Sequence, residues 1–162
     1  MIDIYDSETL IRIYKMINKK CEIIDKFIEN HAFYFGPCTA DYGSLDVCNN
    51  IIDLMTRKNQ LINLKLIVDK AIKTLNEKDK KILFIKINYN LPMNDICGIL
   101  ELKQRTAFRR IERAFENLAD ALNNSKYYNK LISIIDSEDW IQEIKHNVKE
   151  RRLAFKCSAV DC

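Results

Sequence analysis

Residues 103–113 contain the side chains of this sequence that are best suited to bind a polyanion. Five lysines and arginines stand there against Glu112 alone, which gives a net charge of +4. Arginine pairs bidentately with guanine and glutamine with adenine, and lysine and arginine also neutralise phosphates. The stretch therefore predicts a DNA-binding surface, with Lys103 and Arg113 better placed for phosphates than for bases. The candidate DNA-binding residues are Lys103, Gln104, Arg105, Thr106, Arg109, Arg110 and Arg113.

No other group of residues in the sequence has the spacing of a catalytic or metal site. The six cysteines include no CxxC pair, and His31 and His146 lie far apart. The sequence also lacks a Ser-His-Asp set, a glycine-rich phosphate loop and paired carboxylates. The acidic residues Asp136, Glu138 and Asp139 are interpreted as a helix cap and turn. We therefore expect no enzyme activity, no metal and no cofactor.

The composition favours a chain built almost entirely of helices. Its 162 residues suggest one domain, or a small domain with a helical extension. Only 3 glycines and 2 prolines are present, whereas a β-rich fold with many tight turns needs both. No signal peptide opens the sequence, and no apolar run has the length of a membrane span. We expect an all-α cytoplasmic protein with reduced thiols.

The first 74 residues are predicted to form two long helices joined by a loop. Ser7 is the expected N-cap of a helix that runs to about Asn30, and residues 31–44 form the loop. The second helix spans Leu45–Leu75, and its apolar positions are too irregular for a parallel coiled coil. Three arrangements of this second helix stay open. It bends, it pairs antiparallel with the first helix, or it forms a homodimer. Its apolar stripe, which includes Ile62, is too extensive to be left in water.

The stretch 75–122 has the element order of a helix-turn-helix. Asn76 is the expected N-cap of a leading helix, and a short helix over Met93–Leu100 follows. A break at Glu101 and Leu102 precedes a strongly periodic helix over 103–122. In a helix-turn-helix this last helix lies in the major groove, and its N-terminal residues reach the base edges. An apolar inner face must hold it in place. The residues expected there are Ile96, Leu100, Leu102, Ala107 and Ile111.

Two further helices are predicted after residue 122. The first covers 127–135 and the second 139–155, with Ser137 as the N-cap of the second and Trp140 in its first turn. We expect both helices to pack onto the helix-turn-helix. The predicted segments are an N-terminal helical region at 1–74, which is a candidate for oligomerisation, a helix-turn-helix domain at 75–122, and a C-terminal helical cap and tail at 123–162.

Residues 75–118 resemble the fourth conserved region of bacterial sigma factors. The corresponding stretch is LNEKDKKILFIKINYNLPMNDICGILELKQRTAFRRIERAFENL. The positions that correspond to the pattern of that region are occupied by Tyr89, Ile96-Cys97, Leu100-Glu101-Leu102-Lys103 and Arg113-Ala114-Phe115. The resemblance covers about fifty of the 162 residues. It implies a helix-turn-helix that binds DNA. Whether RNA polymerase is a further partner stays open.

The sequence departs from the sigma pattern at four positions. Cys97 replaces an alanine and Phe115 a leucine, whereas Glu101 replaces the turn glycine and Lys103 the capping Ser or Thr. No segment before residue 75 resembles the promoter-melting region, so the chain is unlike a complete sigma factor. In its layout of helices the chain is similar to the ArpU-type late-gene regulators of phages of Gram-positive bacteria.

These observations lead to the hypothesis of a sequence-specific DNA-binding transcriptional regulator, encoded by a phage or another mobile element. Double-stranded DNA is the expected partner, RNA polymerase and a second copy of the chain are open partners, and no membrane is involved. Two alternatives stay open. One is a DNA packaging protein of the small-terminase type. The other is an interaction module that binds RNA polymerase or another host protein without contacting DNA.

Overall fold

Seven α-helices make up the described part of the chain, and no strand occurs within it. The computed structural model describes residues 1–34, 44–89 and 93–158. The helices are α1 (Ile4–Tyr34), α2 (Ser44–Thr74), α3 (Glu77–Tyr89), α4 (Met93–Leu100), α5 (Gln104–Asn123), α6 (Tyr128–Ser137) and α7 (Asp139–Ser158). The predicted all-α fold is confirmed. None of these helices combines the length and the apolar character needed to cross a membrane.

α1 starts before the cap that the sequence predicts. The Asp3 carboxylate accepts the backbone N–H of Asp6 at 2.8 Å, and the Asp6 carboxylate accepts that of Asp3 at 3.1 Å. This reciprocal pair satisfies two free donors at the helix start, as a capping box does. The predicted Ser7 N-cap is therefore wrong. The buried Ser7 hydroxyl donates instead to the carbonyl of Phe115 at 2.9 Å, which joins α1 to α5.

The two long helices pack against each other as an antiparallel pair, which is one of the arrangements that the sequence left open. Polar contacts pair Asp25 with Lys58 at 2.5 Å, Asn18 with Lys65 at 2.9 Å, and Tyr14 with Asp69. Residue numbers fall along α1 as they rise along α2, so the helices run in opposite directions. The loop predicted between them begins later than expected because α1 continues to Tyr34, and residues 35–43 lie outside the described residues.

α2 carries two apolar faces. Leu61, Leu64 and Val68 are buried against neighbouring helices, whereas Ile62 and Leu66 are 39% and 50% exposed. Ile62 is therefore not buried within the single chain, because Leu61 takes the inward position beside it. Its burial across a dimer, the other arrangement expected for this stripe, stays a prediction. The two faces interleave along the sequence, and this interleaving makes the apolar pattern look irregular there.

One hydrophobic core joins all three predicted segments. Its buried members include Leu10 of α1, Leu64 of α2, Leu83 of α3, Leu118 of α5 and Ile134 of α6. α5 is central to this packing, since it contacts α1, α2, α3 and α4. The N-terminal helices thus hold α5 in place directly.

α3 begins as the sequence predicts. The Asn76 side-chain oxygen accepts the backbone N–H of Asp79 at 2.9 Å, which confirms the expected N-cap. The Asp79 carboxylate is buried, and it accepts hydrogen bonds from the side-chain amides of Asn76 at 2.7 Å and Asn117 of α5 at 2.6 Å. The cap of α3 is therefore also a contact between the leading helix and α5.

The C-terminal helices pack mainly on α1 and α2. α6 contacts α2 and α7, and α7 contacts α1, so the expected packing onto the helix-turn-helix is only a minor part of the arrangement. The buried Glu138 carboxylate between α6 and α7 accepts two hydrogen bonds from Arg57 at 2.7 Å and one from Trp140 Nε1 at 2.6 Å. The predicted Ser137 N-cap is wrong, because Ser137 ends α6 and its hydroxyl donates to the carbonyl of Ile134.

Candidate nucleic-acid interface

A residue in the left-handed region closes α4 and turns the chain towards α5. Glu101 directly follows α4 and has a φ of 53°. Its N–H donates to the carbonyl of Gly98 at 3.2 Å, and the N–H of Leu102 donates to that of Cys97 at 3.0 Å. This is the Schellman pattern, which usually has glycine at the left-handed position. The tight turn between α4 and α5 thus forms with glutamate where glycine is usual.

Lys103 stands at the N-cap of α5 without capping it through its side chain. Its backbone is extended, with φ −63° and ψ 144°, and its side chain makes no capping hydrogen bond. Its carbonyl accepts the N–H groups of Thr106 and Ala107 at 2.9 Å each. The first turn of α5 also contains no acidic residue. The positive end of the helix dipole is therefore uncompensated by any side chain of this turn, which favours an anion such as a phosphate.

The inner face of α5 is buried as the sequence predicts. Ala107 is 0% exposed and Ile111 is 5% exposed, and Ile96 of α4 is 1% exposed. Leu100 and Leu102 are half-buried on the same side of the motif. A small residue at position 107 lets α5 approach its neighbours closely, and the orientation of α5 is thereby fixed.

All seven candidate DNA-binding residues are exposed. The set comprises Lys103, Gln104, Arg105, Thr106, Arg109, Arg110 and Arg113. Successive residues at four-residue steps drift by only about 40° round a helix, so Arg105, Arg109 and Arg113 form one stripe. This arginine stripe lies on the side of α5 away from the buried residues. Thr106 and Arg110 form a second row beside it.

Gln104 does not share the side of the arginine stripe. It precedes Arg109 by five residues, which places it about 140° away round the helix. Gln104 is exposed because it is the first residue of α5, where no preceding turn covers it. The structure thus brings Arg105, Arg109 and Arg113 together and leaves Gln104 at the margin of the surface.

The cations of this surface are available to a ligand. Within the ranges that the structure describes, Lys103, Arg105, Arg109, Arg110 and Arg113 take part in no ion pair. Many other cations of the fold are already paired, for example Arg57 with Glu138. A solvated helix face usually mixes charges of both signs, so a row of unpaired arginines favours an external anionic partner.

The charge on the outer side of α5 changes sign along the helix. The arginine stripe ends at Arg113, and the exposed Glu116 and Asp120 follow on the same side. Acidic side chains repel phosphates, so the second half of this face is unsuited to contact DNA. The N-terminal half of α5 is therefore the part of this face that is suited to a polyanion.

The structure also gathers a second group of cations that sequence reasoning missed. Arg12, Lys15, Lys86 and Arg151 line a cavity of about 500 Å³ between α1, α3, α5 and α7, in which Glu8 is the one acidic lining residue described. These cations come from three helices far apart in the sequence, so no local motif could reveal them. Phe115 forms part of the same wall and lies about 120° round α5 from Arg109, so this cavity is separate from the arginine stripe.

Burial and ion pairing determine the protonation of two groups in this cavity. Burial lowers the pKa of Lys86, and the nearby Arg12 and Arg152 lower it further. Burial alone would raise the pKa of Glu8, but hydrogen bonds from Arg12 and Arg152 outweigh it and hold that pKa below its ordinary value. Glu8 accepts from Arg12 at 2.6 Å and from Arg152 at 2.5 Å. It therefore remains an anion and ties α7 to α1.

The described part of the chain contains three cysteines with free thiols and no metal-binding group. Among the described residues, no group of histidine, cysteine and acidic side chains is arranged to hold a metal ion. Cys21, Cys48 and Cys97 are free thiols, and burial raises the pKa of Cys21. Cys21 packs half-buried against the core, where it acts as a small apolar residue.

Comparison with protein-family models, with curated proteins and with solved structures gives no match for this chain.

Proposed function

We propose that the chain is a sequence-specific DNA-binding regulator of transcription and that α5 lies in the major groove. The observation that carries this proposal is the arginine stripe, which is exposed and unpaired on the N-terminal half of a helix that follows a helix-turn-helix link. In this arrangement the first turns of the second helix reach the base edges. The resemblance to the sigma region supports the same role. The expected phage or mobile-element origin rests on resemblance alone.

The residues of the interface would divide between affinity and specificity. Arg105 and Arg109 stand in the first two turns of α5, where they can read guanine edges. Arg113 lies one turn further on, and Lys103 stands at the helix start. These two are better placed for phosphates, which supply affinity without sequence preference. Gln104 has a smaller role in this proposal because it lies away from the stripe.

The first test is binding itself. The purified chain is used to select duplexes from a random-sequence pool, and the enriched duplex and a scrambled version are titrated by fluorescence anisotropy. If each subunit neutralises about four phosphates, log K should fall with log[salt] with a slope near −3.6 per subunit. Failure to enrich any duplex, or an affinity that is flat between about 50 and 200 mM salt, contradicts the proposal.

The second test separates base contacts from phosphate contacts. Arg109→Ala should cost about 1–3 kcal/mol on the enriched duplex and relax the preference at one or two base pairs. Arg113→Ala should weaken binding to both duplexes equally and make the salt slope shallower by about one unit. Lys19→Ala, which removes an exposed cation on α1, is the matched control and should change neither quantity. If Arg109→Ala left the base-pair preference unchanged, α5 would not lie in the major groove. That result would favour the alternative of a protein-interaction module.

A further inference from the structure

One exposed face of α2 carries a regular heptad pattern. Positions at alternating steps of three and four residues run along it, and we call them the α2 seam: Leu45, Cys48, Ile52, Met55, Asn59, Ile62 and Leu66. All seven are exposed. The large apolar members keep between 39% and 75% of their surface in solvent, with Leu45 at the upper limit. Such spacing is that of the a and d positions of a coiled coil, in which Asn59 occupies an a position.

The seam is separate from the face that packs within the chain. Val47, Leu61, Leu64 and Val68 of α2 are buried, and none of them belongs to the heptad set. The seam spans 21 residue steps, or about 32 Å of helix. An apolar stripe of that length is typical of a surface that another helix covers.

The charges that flank the seam are already engaged elsewhere. Lys58 pairs with Asp25, and Lys65 donates to Asn18 while its ammonium lies 4.9 Å from the centre of the Tyr14 ring. In a chain that is 30% charged, the seam itself contains no charged residue between Leu45 and Leu66.

Lys70 lies on the opposite flank, about 140° round the helix from Lys65, and its ammonium is 4.8 Å from the centre of the Tyr127 ring. Each of these flanking cations thus contacts a group of its own chain. The seam itself is uncharged, which favours a partner surface that is likewise uncharged, such as a second copy, over a charged one.

We propose that the α2 seam is the interface of a homodimer in which two copies of α2 run parallel and in register. Asn59 determines the orientation. In a parallel pair the two Asn59 side chains face each other and can exchange a hydrogen bond, as a polar residue at an a position does in specifying register. In an antiparallel pair an a position faces a d position, so Asn59 would face an apolar residue such as Met55, and its buried amide would have no polar partner across the interface.

A parallel dimer has a consequence for the arrangement of the two α5 helices. α3, α4 and α5 follow the C-terminal end of α2 in each copy, so both helix-turn-helix motifs belong to the same end of the dimer. If the proposed function holds, the dimer then reads two half-sites of one duplex. The interface itself is inferred from α2 alone, and the mass of the free chain in solution tests it without DNA.

The mass in solution tests the interface. Sedimentation equilibrium of the full chain should give twice the 19.1 kDa chain mass at micromolar concentration. Leu66→Asp should halve that mass while the far-ultraviolet circular dichroism still shows a helical protein, because Leu66 is exposed in the single chain. Leu153→Asp makes the same change at a leucine of α7 that is 56% exposed, and it should remain dimeric. A monomeric wild type, or a dimeric Leu66→Asp, overturns the proposal.

Cys48 reports the orientation. In the parallel register the two Cys48 residues occupy facing d positions, whereas in an antiparallel pair each faces an a position of the other helix and the two thiols lie apart. A variant that retains Cys48 and has serine at the other five cysteines is treated with diamide. Diamide takes up two electrons and two protons as two thiols form one disulfide. The variant should then run at twice its mass on a non-reducing gel, and the additional change Cys48→Ser should abolish that band. A dimer by mass that gives no cross-link through Cys48 contradicts the parallel register.

Discussion

Glu101 holds a backbone conformation that suits glycine better than any residue with a side chain. Its φ of 53° lies in the left-handed region, where a Cβ crowds the following carbonyl oxygen and costs roughly 1–2 kcal/mol. The two hydrogen bonds of the Schellman turn keep it there in spite of that cost. The turn is therefore set by the packing of α4 and α5, and a residue type outside the usual pattern does not prevent it.

Replacing Glu101 by glycine should stabilise the protein. Glycine relieves the steric cost, but its unfolded chain has more conformational freedom, so the net gain should be about 0.5–1 kcal/mol. Glu101→Ala keeps a Cβ and serves as the control, with no gain expected. Urea denaturation of the three proteins measures the difference. A Glu101→Gly protein no more stable than Glu101→Ala would show that the left-handed conformation is not a source of strain.

The Tyr14 side chain contributes to the stability of the folded protein through one hydrogen bond. Its hydroxyl donates to the Asp69 carboxylate, and burial together with this hydrogen bond raises its pKa above the ordinary value of 10.0. Hydrogen bonds to ionised groups contribute about 1.5–3 kcal/mol. At neutral pH we expect the lower value of about 1.5 kcal/mol for Tyr14, because its ring is only half-buried.

The Tyr14 contribution should fall at high pH. Below the unfolded pKa it is fully present, because tyrosine is protonated in both states. Above about pH 10 the unfolded tyrosine ionises while the folded one stays protonated, so stability decreases as pH rises towards the folded pKa. The gap in unfolding free energy between wild type and Tyr14→Phe should thus be narrower at about pH 11 than at pH 7. A gap that does not change with pH would exclude this linkage.

At the scale of the element, the start of α5 combines weak capping with a candidate phosphate contact. Lys103 offers no side-chain acceptor to the first turn and places a cation at the positive end of the helix dipole. Serine at this position would accept a first-turn N–H group, as preferred N-caps do. Lys103 therefore leaves the start of α5 less stable in the free protein, at the position where a bound phosphate would stabilise it.

Lys103→Ser should separate stability from binding. The new cap should raise the unfolding free energy by about 1 kcal/mol. DNA affinity should nevertheless fall, and the salt slope should become shallower by about one unit, because one phosphate contact is lost. Lys103→Ala removes the same charge without adding a cap, so it should lose affinity and gain little stability. If Lys103→Ser binds the enriched duplex as tightly as wild type, Lys103 does not contact phosphate.

Sequence patterns predicted helix caps and helix bounds well where these depend on residues close together in the chain. Asn76 caps α3, and α4 has the predicted bounds of Met93–Leu100. Ser7 was wrongly predicted as a cap because serine also serves as a buried donor, and only the fold shows that the carbonyl of Phe115 is its acceptor. The bounds of the arginine-bearing helix were predictable to about one residue at each end for the same local reason.

Features that depend on long-range packing could not be predicted from the sequence. The cavity cations Arg12, Lys86 and Arg151 come from separate helices, and their proximity follows from how α1, α3 and α7 pack. The inward and outward faces of α2 likewise separate only when its partners are known, as Leu61 and Ile62 show. The inner face of α5 was predictable because its apolar residues repeat at helical spacing.

At the scale of the whole molecule, the three predicted segments share one core. Ile2 is buried, and its N–H and carbonyl bond the Asn123 side chain at 2.9 and 2.8 Å, so the first residues are fixed to the end of α5. Arg152 of α7 binds Glu8 of α1 and approaches Glu112 of α5 at 3.4 Å. Each of the three segments contributes buried apolar residues to this one core.

The full chain should therefore unfold in one cooperative transition. Trp140 is the single tryptophan, and it packs partly buried at the start of α7, so its fluorescence reports on the C-terminal helices. Far-ultraviolet circular dichroism reports on all helices. At a fixed protein concentration both signals should change at the same urea concentration, which is the mark of a two-state transition. The isolated stretch 75–122 should show little helix, since Leu118 and Leu122 lose the partners that α1 and α2 provide. Tryptophan fluorescence that changes well before the helical signal would instead show that the C-terminal helices unfold on their own and that the shared core does not couple the segments.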